Sequence, residues 1–186
     1  MIAPVRRPDD RGGLDHLGPE LLTWLWWRSD TDPRFVRPDG TEVFVHLDDH
    51  LEFRGERAAS RKTVLRAGAP SASREARGAV RSGKLLVAAR VLLASGDEEA
   101  AFTLRAEDLD VSGLRLPTSV EPGESPGPRE RLLGTLDRLD AFYDDLDLLL
   151  AAFLEVRTGA AWPEEARRIR AWSRAPSPDE ARVRSA

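Results

Sequence analysis

Cysteine is missing from all 186 residues, which excludes disulfides, thiolate nucleophiles and cysteine-ligated metal sites. Histidine is nearly missing too, with 3 in the chain, so little is left for imidazole chemistry. No apolar run approaches the roughly 20 residues of a membrane span. The opening MIAPVRRPDDRGG has no apolar stretch of the kind a secretory signal needs. These absences predict a cytoplasmic protein of one domain, or two small ones, with no membrane partner. Lysine is also scarce. Only Lys62 and Lys84 occur among 28 basic side chains, so the positive charge is almost wholly arginine, whose planar fork suits phosphate and carboxylate alike.

What is present is charge, 32% of the chain, and it is segregated. The formal net of minus 4 conceals a stretch from 52 to 90 with 10 basic and 3 acidic side chains. A stretch from 91 to 156 follows with 5 basic and 15 acidic. The first can meet phosphate or the second can meet it within one fold.

Along the chain, residues 1–16 read as a flexible arm. Gly18-Pro19 opens a helix to Asp30, with proline at the first helical position. After the turn-rich 30–40 come three β-like runs, Glu42 to Leu47, Leu51 to Arg54 and Lys62 to Arg66. Ser71 or Ser73 caps a short helix to Ser82, which Gly83 ends. A second β-like group follows at Lys84 to Ala94, Ala100 to Arg105 and Val111 to Leu116, with Gly96-Asp97 as its first turn. Residues 117–128 (PTSVEPGESPGP) read as a linker. Leu132, Leu136, Leu139, Tyr143, Leu146, Leu150 and Phe153 then alternate steps of four and three, a heptad seam predicted to pack within the fold. Trp162-Pro163 starts a last helix, and 175–186 read as a frayed tail. The predicted class is α+β in the order α-βββ-α-βββ-α-α, with antiparallel sheets and a long C-terminal helix. The predicted units are an α+β domain over 17–116 and C-terminal helices over 129–174 packed on it.

Four features bear on chemistry. The Trp24, Trp26 and Trp27 helix is apolar nearly all round, which favours a core role over a partner surface or a base-stacking platform. His46-Leu-Asp48-Asp49-His50 lacks zinc-protease spacing and reads as an exposed hairpin turn. Glu130, Asp137, Asp140, Asp144, Asp147 and Glu155 fall opposite the seam as a solvated acidic face rather than a metal-binding nuclease centre. Arg74, Arg77 and Arg81, three and four apart, share one face of the short helix, with Arg61, Lys62 and Arg66 before it and Lys84 after it. A solvated face accounts for such a run; so does a patch that tracks phosphates by releasing their counterions. No Walker loop, GxGxxG, GxSxG or zinc-finger spacing competes.

From Gly83 onward the residues resemble the C-terminal half of the recombination-associated protein RdgC family. The likeness rests on Gly83-Lys84 leading into an apolar strand with Arg90, and on the hairpin through Phe102-Thr-Leu104. It rests further on DLDVSGLRL from Asp108 to Leu116 and on Asp140-Ala141-Phe142-Tyr143 within the helix Leu136 to Phe153. Leu17-Gly18-x-Glu20-Leu-Leu-Thr-Trp-Leu-Trp-Trp-Arg-Ser is similar to a segment of larger bacterial members. The resemblance implies a nucleoid-associated protein that binds duplex DNA without sequence specificity and limits the recombinase's access to it. It also implies a homodimer, which in the family is a ring with a basic lining. No enzymatic activity, cofactor, metal or small-molecule substrate is expected. The DNA contact is expected from Arg61, Lys62, Arg66, Arg74, Arg77, Arg81 and Lys84. The alternative is a protein-interaction module related to the family that no longer binds DNA, in which the arginines balance the acidic helix.

Overall fold

A computed structural model describes residues 17–55, 62–66, 73–117 and 127–176. The expected arm 1–16, most of the linker, the tail beyond 176 and Arg61 lie outside the described residues.

Among the described residues, helix α1 (Leu17–Thr31) is followed by strands β1 (Arg34–Val36), β2 (Glu42–Arg54) and β3 (Thr63–Arg66). Then come helix α2 (Arg74–Arg81), strands β4 (Leu85–Ser95), β5 (Glu98–Arg105) and β6 (Val111–Arg115), and helices α3 (Pro128–Thr158) and α4 (Trp162–Arg174). The fold is α+β, as the sequence predicts. The two strand groups do not form two sheets: all six strands join one antiparallel sheet in the order β1-β2-β4-β5-β6, with β3 also on β2. Because β4 takes one edge of β2 from Phe44 to Arg54, β1 and β3 share the other edge, at residues 42–44 and 50–53.

The expected turn at His46–His50 is not there. The two β-like runs on either side of it are one 13-residue strand, and its polar middle is a break in register between Leu47 and Leu51 against β4. At that irregularity the Leu47 N–H is taken by Ser29 Oγ of α1 at 3.3 Å. Four steps along β2 from Leu47 to Leu51 oppose two along β4 from Val91 to Ala89, and such an insertion bends a strand without ending it.

α1 is apolar all round because it is enclosed all round. Trp24 meets Phe35 of β1 and Phe153 of α3, at ring separations of 5.8 and 5.6 Å. Trp26 meets Phe53 of β2 and, edge-on at 4.8 Å, Trp172 of α4. α1 therefore lies between the sheet and the two C-terminal helices, and its tryptophans are core. Gly18 permits the close approach of α1 to the β5–β6 turn, since a Cβ there would stand 1.8 Å from the Ala106 carbonyl oxygen.

α3 is fastened by Phe142 edge-on to Phe102 of β5 at 5.0 Å, and by a two-pronged pair from Arg37 to the buried Asp145 at 2.7 and 2.8 Å. That contact holds Arg37 protonated beyond its ordinary range, through the hydrogen bond to Asp145. The buried line of α3 is Phe142, Asp145, Leu149 and Phe153. This corrects the expected seam. At 100° per residue the heptad line lies on average about 85° round the helix from the buried one, and the two meet at Phe153. Leu139, Leu146 and Leu150 are half-buried at the border, whereas Leu132, Leu136 and Tyr143 are exposed.

Candidate nucleic-acid interface

The basic stretch is distributed over four pieces of chain. β2 ends at Arg54, β3 begins beside it with Thr63 opposite Phe53, and β4 begins at Leu85 opposite Arg54. Lys62 and Lys84 stand just outside β3 and β4, so Arg54, Lys62 and Lys84 gather at one end of the sheet. Neighbouring strands there are only about 4.8 Å apart. Lys84 Nζ donates to Thr63 Oγ1 at 2.6 Å, which ties the two strand starts together. Lys62 Nζ reaches Glu52 Oε1 at 2.8 Å, with the lysine more than half exposed and the glutamate buried. Glu52 thus gains a partner for its buried charge while the ammonium still faces solvent.

α2 adds to this end. Its N-cap Ser73 accepts the Ala76 N–H at 3.2 Å, and the helix buries Ala76, Arg77, Ala79 and Val80. Arg81, in the last turn, leads through Gly83 in a left-handed conformation to Lys84. Arg74 is exposed in the first turn, about 10 Å away at 1.5 Å per residue. Arg66 is exposed at the far end of β3, three residues from Thr63 and also about 10 Å away.

Arg77 departs from the expectation. It is 5% exposed and belongs to the interior. Its Nη2 donates to Asp30 Oδ2 at 2.7 Å, and its Nη1 lies 3.2 to 3.4 Å from the carbonyls of Trp172, Ala175 and Pro176. Its guanidinium carbon stands 4.7 Å from the centre of the Trp172 ring, and Trp172 Nε1 donates to the same Asp30 oxygen at 3.0 Å. One arginine joins α1, α2 and α4, and it takes up carbonyls at the C-terminal end of α4, where the helix dipole favours a cation. Arg77 is therefore unavailable to a phosphate. On the helical wheel it falls about 60° from Val80, at the rim of the buried face, and α4 covers that rim.

The remaining expected residues stay at the surface. Arg66, Arg74 and Arg81 are exposed, Lys62 is exposed with its head on Glu52, and Lys84 is half-buried. Arg54 was absent from the predicted set and belongs with them. Its signal lay in β alternation, since it follows the fully buried Phe53 at a strand end and so faces outward. Arg90 is not a member, because Asp48 of the irregular segment engages it at 3.6 Å. On α4, Arg167 and Arg168 are held by Glu164 and Glu165 of the preceding turn.

His50 faces Arg66 in the β2–β3 register. Burial lowers its pKa, and the charge of Arg66 lowers it further, so the imidazole is neutral at pH 7 and adds no charge to the patch. Among the described residues no three His, Asp or Glu side chains converge as a metal ion would require. Among them, too, no helix is long and apolar enough to cross a membrane. No family model and no curated protein matches the sequence.

Proposed function

We propose that this chain binds duplex DNA without regard to sequence and, as the resemblance to the RdgC family implies, acts at the nucleoid to modulate recombination. The observation that carries the reading is the gathering of cations, all but the half-buried Lys84 exposed, from three strand ends and one helix. Arg54, Lys62, Arg81 and Lys84 stand together, with Arg66 and Arg74 extending them in two directions. Long basic side chains reaching about 10 Å to either side of this group engage successive phosphates and release their counterions. No catalytic step is assigned to the patch.

The test is titration of fluorescent duplexes of two unrelated sequences with the full chain over a range of salt. Equal affinities are expected, with a log–log salt slope near roughly minus 4.5 for about five neutralised phosphates. A sequence preference or a flat salt dependence would count against the reading. The protein-interaction module is the second reading. It draws on the apolar row left exposed on α3, and failure of the chain to bind DNA at low salt would favour it.

A further inference from the structure

α1, the sheet and α3 do not close completely on one another. Between them lies a cavity of about 180 Å³, with Leu25, Val91, Phe102 and Leu149 buried in its floor. It reaches the surface where Leu109 is half-buried and Tyr143 and Asp147 are exposed. An apolar cavity of about 150 Å³ lined by leucine, isoleucine and phenylalanine stays dry and binds benzene. This one is larger and has walls of the same kind, so it has room for a single ring with a short arm. It is smaller than the roughly 300 Å³ at which pockets for drug-sized ligands begin.

The mouth is built from two sides. On one, in the β5–β6 turn, Leu109 is the one residue other than glycine, among the described residues, whose φ is left-handed, at 56°. A residue with a Cβ adopts that conformation only at a cost. The turn holds it there: the Arg105 N–H donates to the Asp110 carbonyl at 2.9 Å, and the Asp110 N–H donates to Asp108 Oδ1 at 3.2 Å. Strained residues fixed by their surroundings cluster at ligand clamps, and this one sets an apolar side chain at the cavity mouth. On the other side, Tyr143 and Asp147 stand four apart on α3 and are neighbours on one helix face. Asp147 is the only charged residue in the lining. Asp145 of the preceding turn is held by Arg37, whereas no cation among the described residues pairs with Asp147.

We propose that this cavity binds a small hydrophobic cation: a single aromatic ring on a short alkylammonium arm, the ring in the floor and the ammonium beside Asp147. Phe102 offers the ring an aromatic neighbour of the kind it already has in Phe142. The charge must be positive, because the one ionised group at the mouth is a carboxylate and the Tyr143 ring one turn away attracts the same sign. At an exposed rim the ammonium keeps part of its hydration while the ring leaves water. Nothing in the sequence marks the site, since its walls come from five elements and each supplies residues that read as core. The cavity lies apart from the cationic patch on α2 and the strand ends, and that patch repels a cationic probe. The proposal therefore stands independently of DNA binding.

Titration calorimetry of the full chain with 2-phenylethylammonium, 2-phenylethanol and 3-phenylpropionate compares nearly one shape in three charge states. The ammonium should bind saturably at one site, about fivefold more tightly than the alcohol, as a solvent-exposed ion pair allows. The carboxylate should be the weakest of the three. Asp147→Asn, a change at the exposed rim, should bring the ammonium to the affinity of the alcohol and leave the alcohol as it was. Val111→Phe, which fills the cavity from β6, should abolish binding of both, with the urea midpoint showing that the variant is folded. Should that variant not fold, Asp147→Asn still decides. Absence of saturable binding by all three probes would overturn the proposal. So would ammonium binding that Asp147→Asn leaves unchanged, which would place the cation elsewhere on the acidic surface. A preference for the carboxylate would overturn it as well, and would assign the binding to the cationic patch.

Discussion

Arg77 shows how one side chain can separate structure from function inside a run of like charges. Spacing alone places Arg74, Arg77 and Arg81 on one face, yet Arg77 is the one whose removal strips Asp30 of its ion-pair partner and withdraws a shared donor from three carbonyls within the α1–α2–α4 junction. Arg77→Ala should cost about 3 to 5 kcal/mol, the range for breaking a buried pair by deleting one partner, read as a fall in the urea midpoint. Gly18→Ala should also destabilise, by about 1 to 3 kcal/mol or more, because its Cβ meets backbone rather than a side chain that can turn away. His50 makes a prediction in pH. Its native pKa lies below the ordinary 6.5, with burial the larger cause and Arg66 the next. Its contribution to stability is therefore present above the unfolded value and is lost as pH falls through the native one. Proton NMR should find its titration midpoint below 6.5, and Arg66→Glu should raise it. A midpoint at or above 6.5 in the wild type would contradict the placement.

At the scale of elements, the sequence was informative where one signal acted alone. Proline at the start of α1, the Ser73 cap of α2 and the Gly96-Asp97 turn put boundaries within a residue or two of those observed. β1 was hidden because three residues among Asp, Pro and Gly carry no period of their own; they are a strand only through pairing with Val43 and its neighbours. β2 looked like two strands because the irregularity at its middle admits polar residues, and the Ser29 hydroxyl that receives Leu47 comes from another element. The rotation of α3 has a comparable cause. Asp145 belongs to the buried face only because Arg37, 108 positions earlier, pairs with it, so a pattern counted in apolar residues settled on the neighbouring line. The consequence is measurable. Leu149→Ala, on the buried line, should cost about 2 to 5 kcal/mol. Leu132→Ala, on the exposed line, should cost no more than about 0.5 kcal/mol. Equal losses would contradict the orientation of α3.

For the molecule as a whole, the segregated charge is divided between side chains held by the fold and side chains left exposed, and neither charge counts nor helical spacing could apportion it. Arg37, Arg77 and Arg157 are consumed by the fold, on Asp145, Asp30 and Glu20. Arg54, Arg66, Arg74 and Arg81 remain exposed where β2, β3 and α2 present them. The central claim is that the exposed set binds DNA and the set held between elements does not. The measurement that bears on it most directly compares duplex affinity and urea stability for Arg66→Glu/Arg74→Glu/Arg81→Glu and for the wild type. Exposed charges contribute little to stability through surface pairs. The account therefore predicts a triple variant with wild-type stability that no longer binds duplex DNA at low salt. A folded triple variant that binds as the wild type does would contradict it.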